Sequence, residues 1–162
     1  MTRSAKRPDR SIDEFDRAIL RILQQDNRTT QRTIGQAVNL SAAAVQRRIA
    51  AMETTGVIQA NVALVDHDAL SLAITAIVEV LLRDERADTV DQAKALFSDT
   101  PEVQQCYYVT GGVSFMLIII APDMRVYEGL TRRLFAENDL VASYRTLVAL
   151  DRVKAGMSVV VP

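Results

Sequence analysis

The chain has 162 residues, of which 49% are hydrophobic and 24% are charged, with a formal net charge of −1 at pH 7. Its single cysteine and single histidine exclude an intrachain disulfide framework and a His/Cys zinc site. No apolar run reaches the ~20 residues that span a bilayer, so we expect a cytoplasmic protein that is not bound to a membrane.

The charge is unevenly distributed along the chain. Residues 1–60 carry 10 basic and 6 acidic side chains, whereas residues 61–162 carry 9 basic and 14 acidic ones. Any polyanionic partner is therefore expected to bind the N-terminal part.

The N-terminus predicts a flexible tail followed by a helix. Residues 1–11 contain four basic side chains, a proline and no apolar periodicity, so they form either an arm along DNA phosphates or an ordinary disordered terminus. The pattern over Asp13–Gln25 predicts a helix, with Asp13 as its cap and Asp16 completing a capping box.

Residues 30–58 predict two short helices joined by a tight turn. Ile34 and Val38 recur at helical spacing in the first helix, and Ser41 is the predicted N-cap of the second. Gly56 follows that second helix at a position that favours glycine. With the preceding helix, this motif forms a helix-turn-helix domain over residues 12–56.

The second helix of the motif has one apolar side and one small, polar side. Val45, Ile49 and Met52 form the apolar stripe. Small residues at the start of a helix allow close approach to a major groove, glutamine can contact an adenine edge, and arginine can contact guanine or phosphate. The candidate DNA-binding residues are Ser41, Ala42, Ala43, Gln46, Arg47 and Arg48. The alternative is a solvated arginine pair in an ordinary all-α domain.

Residues 57–69 form a predicted linker. Apolar and β-branched residues over Val57–Val65 predict an extended strand, which is either a wing or a segment that pairs with the same segment of a second copy. Asp66–Asp68 interrupts the strand with a turn.

Residues 70–162 predict a ferredoxin-like βαββαβ domain, so the fold class is α+β with an N-terminal, winged-helix-like helix-turn-helix. The predicted strands cover residues 70–82, 103–110, 114–120 and 141–150, and the predicted helices cover residues 87–98 and about 123–135. Helices would cover one face of the antiparallel sheet. The other face is also apolar, and a second copy would cover it most simply, which predicts a homodimer.

Four sequence segments together resemble the Lrp/AsnC family, the feast/famine regulators of bacteria and archaea. They are IDEFDRAIL, VQRRIAAMETTGVI, YYVTGG before an apolar strand and APDM after it. The resemblance implies a transcriptional regulator of amino-acid metabolism or transport genes, associated with the nucleoid. It also implies binding to a pseudo-palindromic operator in double-stranded DNA, and assembly through the C-terminal domain into dimers and then tetramers or octamers.

The resemblance further implies a free amino acid as effector. The effector-binding residues it implies are Gly111, Gly112, Val113 and Ser114 in one turn, with Tyr144 and Thr146 on a facing strand. The family turn usually has the pattern Gly-Asp-x-Asp, and this chain lacks both carboxylates. Their loss removes a charge partner for an ammonium group, although backbone groups of the glycine turn remain.

Two other functions remain open from the sequence. One is an architectural, chromatin-like DNA-binding protein without an effector. The other is an enzyme on the ferredoxin-like domain that uses Cys106, His67 or Tyr107, although no Cys–His spacing supports it and a strand cysteine is usually an inert thiol. The sequence predicts no cofactor, no metal site and no catalytic residue.

Overall fold

The computed structural model describes residues 11–162, so the predicted basic tail lies outside the described residues except for Ser11. The chain forms two compact units. The first contains the described residues up to Leu64 together with Ala155–Pro162, and the second contains Val65–Lys154. This division differs from the predicted one at the C-terminus, because Ala155–Pro162 belongs with the helix-turn-helix.

The first unit has three helices. They are α1 (Glu14–Leu23), α2 (Gln31–Val38) and α3 (Ala42–Thr54). The predicted capping box is confirmed, since Asp13 Oδ1 accepts a 2.8 Å hydrogen bond from the Asp16 N–H and Asp16 Oδ2 accepts one from the Asp13 N–H. Thr30 and Ser41 cap α2 and α3. The buried core consists of Ile19, Ile34, Val38, Val45 and Met52.

A close backbone approach fixes the turn between α2 and α3. Asn39 ends α2 in the left-handed region at φ 57°, and the Leu40 N–H donates to the Gly35 carbonyl at 2.9 Å. A Cβ on Gly35 would lie 2.5 Å from the Leu40 carbonyl oxygen. The turn therefore requires glycine at this position.

The strand predicted over Val57–Val65 is absent from the described chain. Residues 59–66 have no regular secondary structure, and Val62, Leu64 and Val65 are 66%, 83% and 56% exposed. A strand needs a neighbour to satisfy its backbone groups, and no described strand pairs with this segment. The helix-turn-helix consequently has no β-wing within the described residues.

The second unit has the predicted βαββαβ order. Its elements are β1 (Ile74–Leu82), α4 (Ala87–Ser98), β2 (Val103–Tyr108), β3 (Phe115–Ala121), α5 (Met124–Thr131) and β4 (Val141–Val148). The strands form an antiparallel sheet in the order β2-β3-β1-β4. β1 begins later than predicted, because Asp68–Leu70 forms a 3-10 turn and Ser71 is left-handed. A π-helical turn, Arg132–Ala136, continues α5.

The sheet has one buried face and one open face. Alternate residues of β1 and β3, such as Val78 and Leu117, are buried in the core with Phe97 of α4 and Phe135 of the π-helical turn. The opposite alternation defines the open face, whose residues are Thr75, Ile77, Glu79, Leu81, Gln105, Tyr107, Met116, Ile118, Ile120, Ser143, Arg145 and Leu147. It is mostly apolar, and within the described chain no second layer covers it.

We expect Gly35→Ala to destabilise the first unit by about 1–3 kcal/mol, because the new methyl group collides with the Leu40 carbonyl. Chemical denaturation followed by circular dichroism measures the change. Gly129→Ala is the control, since a Cβ there meets nothing within 4 Å and alanine favours a helix. Equal stability of the two variants would contradict the requirement for glycine in the turn.

Candidate nucleic-acid interface and effector site

The solvent-facing side of α3 carries most of the predicted DNA-binding residues. Ser41, Ala42, Ala43, Gln46 and Arg47 are all exposed. Ser41 is also the N-cap, accepting a 3.2 Å hydrogen bond from the Ala44 N–H. Among the described residues, neither Gln46 nor Arg47 has a hydrogen-bond or ion-pair partner for its side chain. The face is therefore free to bind an external ligand.

Arg48 has a different environment from its neighbours. Its Nη1 donates to Asp13 Oδ2 at 2.7 Å and to Asp16 Oδ1 at 2.9 Å, and its guanidinium lies 5.4 Å from the centre of the Phe15 ring. The Asp16 side chain is 1% exposed. Arg48, predicted to contact DNA, thus joins α3 to the N-terminus of α1.

The same contacts shift two pKa values. The pKa of Asp13 is lowered, first by the Asp16 N–H that its carboxylate accepts and then by Arg48. The pKa of Arg48 is raised by its hydrogen bonds to both carboxylates. The folded unit therefore stabilises Asp13 and Arg48 in their charged forms.

The N-terminal end of α2 offers basic groups that the sequence analysis did not select. Arg28 and Arg32 are exposed on either side of the cap residue Thr30. The free N–H groups of a helix N-terminus favour phosphate, and the first helix of a helix-turn-helix crosses the DNA backbone. The sequence could have indicated this basic site, because Arg28 and Arg32 lie two residues before and two residues after the cap residue Thr30.

The predicted effector turn is built on two glycines and a buried serine. Gly111 and Gly112 have φ of 114° and 97°, which favour glycine. Ser114 is 1% exposed, and its Oγ accepts a 2.9 Å hydrogen bond from the Leu82 N–H. The same hydroxyl donates to Glu85 Oε1 at 2.5 Å.

Glu85, which is not among the residues predicted from the sequence, supplies a carboxylate beside this turn. Its Oε2 accepts a 2.8 Å hydrogen bond from the Tyr108 hydroxyl, which raises the pKa of Tyr108. The Lys94 ammonium lies 4.9 Å from the centre of the Tyr108 ring. Among the described residues, the contacts of the Glu85 carboxylate are hydroxyl donors and it has no ion pair. It is a negative charge held in place by Ser114 and Tyr108.

Tyr144 and Thr146 do not join the turn within one chain. The Thr146 hydroxyl lies 2.6 Å from the Tyr127 hydroxyl, and the Tyr144 ring packs 4.9 Å from the Phe135 ring. β1 separates their strand from β3, which places β3 and β4 about 10 Å apart. The six predicted effector residues thus form two separate groups in a single copy.

The three candidate catalytic residues do not form a site. Burial raises the pKa of the Cys106 thiol, which disfavours the reactive thiolate. His67 lies 2.6 Å from Arg152 and 3.5 Å from Gln104, whereas the Tyr107 hydroxyl donates to Gln105. No hydrogen bond joins any two of the three within residues 11–162.

Among residues 11–162, no cluster of three histidine, cysteine, aspartate or glutamate side chains is placed to bind a metal ion. No helix of residues 11–162 has both the length and the apolarity that a membrane crossing needs.

Two family models match the chain, one over most of each unit, and the second match continues into residues 155–159, which pack with the first unit. The AsnC-type helix-turn-helix domain matches residues 12–53, and the Lrp/AsnC ligand binding domain matches residues 75–159. The chain belongs to the Lrp/AsnC family. The predicted α+β fold class and the predicted role as a transcriptional regulator are thereby confirmed. This family consists of DNA-binding regulators rather than enzymes.

Individual relatives of this Lrp/AsnC protein are similar over nearly its full length. An HTH-type transcriptional regulator of Sinorhizobium fredii is 43% identical, over 91% of this chain and 88% of its own. The leucine-responsive regulatory protein of Escherichia coli K12 is 30% identical, over 99% and 98%. The crystal structure of Neisseria meningitidis regulator NMB0573 in complex with L-Met has a TM-score of 0.83 at 25% identity, covering 92% of this chain and 96% of that one.

We expect Arg48→Ala to destabilise the first unit by about 1.5–3 kcal/mol, because it removes charged hydrogen bonds to Asp13 and the buried Asp16. Arg47→Ala is the matched control and should change the free energy of unfolding by less than about 0.5 kcal/mol, since this side chain is exposed. Denaturant titration measures both. If the two variants were equally stable, the contacts of Arg48 with Asp13 and Asp16 would not be what holds α3 against α1.

Proposed function

We propose that the exposed face of α3 binds the major groove of double-stranded DNA. This proposal rests on one observation, which is that three consecutive polar side chains differ in whether they have a partner within the chain. Arg48 is tied to Asp13 and Asp16, whereas Gln46 and Arg47 are exposed and have no described partner. Gln46 would contact a base edge, and Arg47 would contact a guanine or a phosphate. The small residues Ala42 and Ala43 would allow the helix to approach the bases.

The open face of the sheet supports a homodimer. Ile77, Met116 and Leu147 lie on this face, which lacks a covering layer in the described chain. Its charged pair is already satisfied, because Arg145 makes two 2.7 Å hydrogen bonds to Glu79. A second copy would cover the face without burying an unpaired charge. Paired recognition helices would then bind a pseudo-palindromic operator, and tetramers or octamers would extend this binding along nucleoid DNA in the cytoplasm.

The turn at Gly111–Ser114 supports a response to a free amino acid. Glu85 restores a carboxylate beside a turn whose own sequence has none, so it would pair with the ammonium group of the effector. Backbone N–H groups of Gly112 and Val113 would bind its carboxylate. Tyr144 and Thr146 would come from a second copy. The L-Met complex of the related meningococcal regulator supports this class of ligand.

DNA binding is tested with Gln46→Ala/Arg47→Ala on duplexes that the wild-type protein selects from a random library. We expect the affinity to fall at least about 30-fold, because two contacts are lost and each contributes about 1 kcal/mol or more. A loss of phosphate contact would also reduce the dependence of the affinity on salt concentration. Fluorescence anisotropy at several salt concentrations measures both effects.

The matched control for this experiment is Gln92→Ala/Arg133→Ala, which changes the same residue types at exposed positions of the second unit. It should bind like the wild type. Unchanged affinity of the Gln46/Arg47 variant would remove α3 as the DNA-binding face. A selection without any enriched sequence would instead favour the architectural, chromatin-like alternative.

Effector binding is tested by calorimetry of the wild type with each of the twenty amino acids, followed by Glu85→Gln with those that bind. We expect Glu85→Gln to weaken binding about 10- to 100-fold, because a charge-assisted hydrogen bond contributes about 1.5–3 kcal/mol. Glu137→Gln, an exposed carboxylate of the same unit, is the control. Equal affinity of both variants would exclude Glu85 as the ammonium partner, and DNA binding should be unchanged in both.

A further inference from the structure

The C-terminal segment of the chain contacts α1 through one glutamine side chain. Gln24 Nε2 donates to the Val159 carbonyl at 2.9 Å, and the Val159 N–H donates to Gln24 Oε1 at 2.8 Å. The side-chain amide thus satisfies both backbone groups of Val159. Two neighbouring strands satisfy each other in the same way, so Gln24 acts as a one-residue strand partner.

Arg21 binds the end of the same segment. Its Nε donates to the Val161 carbonyl at 3.3 Å and its Nη2 to the Pro162 carbonyl at 2.7 Å. Its Nη1 donates to Glu14 at 3.1 Å, which orients the guanidinium from the other side. Arg21 and Gln24 are three residues apart in sequence and therefore lie on one face of the helix end.

The segment is held by its backbone and not by its apolar side chains. Met157, Val159 and Val160 are 77%, 70% and 94% exposed. Burial of these side chains consequently contributes little to docking. The position of the segment depends on its four hydrogen bonds with Gln24 and Arg21.

We propose that Arg21 and Gln24 form a docking surface for the chain's own segment Val159–Pro162, and that this docking supports DNA binding. The chain leaves the first unit after Leu64 and returns to it at Ala155. Docking therefore ties α1 to the chain at a second point. The N-terminal end of α1 carries Asp13 and Asp16, which hold Arg48 of the recognition helix. With its C-terminal end held by the docked segment, α1 keeps Asp13 and Asp16 in position to bind Arg48.

Hydrogen exchange with mass spectrometry tests the docking itself on the full-length protein. We expect the Val159 amide to be protected in the wild type, because it donates to Gln24, and to lose this protection in Gln24→Ala. The control is Gln25→Ala, which changes the adjacent exposed glutamine and should leave the protection intact. Exchange of the wild-type segment at the rate of an unstructured peptide would overturn the proposal.

The consequence for DNA is tested with Gln24→Ala and with a chain that ends at Met157. Both should bind the selected duplex severalfold more weakly than the wild type, whereas Gln25→Ala should bind equally well. Full affinity of both variants would overturn the supporting role. This result is separable from failure of the proposed DNA-binding face, because the Gln46→Ala/Arg47→Ala variant tests that face with the C-terminal segment unchanged.

Discussion

The position of α3, the proposed recognition helix, depends on one guanidinium between two carboxylates. Asp16 is almost fully buried, and a buried charge is tolerated only when it is paired. Arg48 provides a partner for Asp16 and reaches across from α3 to do so. At the N-terminal end of α3, the close approach of Gly35 and the Leu40 carbonyl sets the turn. The proposed DNA-binding surface of α3 is therefore fixed by interactions that lie away from it, and the Gln46 side chain takes no part in them.

The second unit is governed by a different constraint, which is the need to cover an apolar sheet face. Helices cover one face, and the alternation of β1 and β3 places a second apolar set opposite it. The Glu79–Arg145 pair lies among these residues, and the hydrogen bonds from Arg145 lower the pKa of Glu79. This pair keeps its charge satisfied within one chain. A second copy can therefore pack on this face without leaving a buried charge unpaired.

The sequence predicted what depends on local patterns. The cap at Ser41, the capping box at Asp13 and the alternation of the sheet strands needed only neighbouring residues. It grouped Arg48 with Arg47 as a DNA contact, although Arg48 flanks the apolar stripe and Arg47 lies on the opposite side of the helix. The contacts of Arg48 with Asp13 and Asp16 depend on the packing of α1 against α3, which the local pattern does not show. Glu85 was missed since its partner Ser114 is distant in sequence. The strand predicted over Val57–Val65 was wrong for the single chain. Its β-branched composition favours a strand, but no described strand lies beside it to pair with its backbone.

The separation of these constraints limits how an amino acid can control DNA binding. α3 is positioned by contacts internal to the first unit, and Glu85 and Ser114 belong to the second. Ser114 also bonds to both Val80 and Leu82 at the end of β1, so a ligand on Glu85 would act on the sheet. An effector shifts an equilibrium only if it binds two states differently, and assemblies of different size are the states that such a sheet offers. Control would then follow from the number of recognition helices presented together, since linked binding sites multiply affinity without altering any one of them.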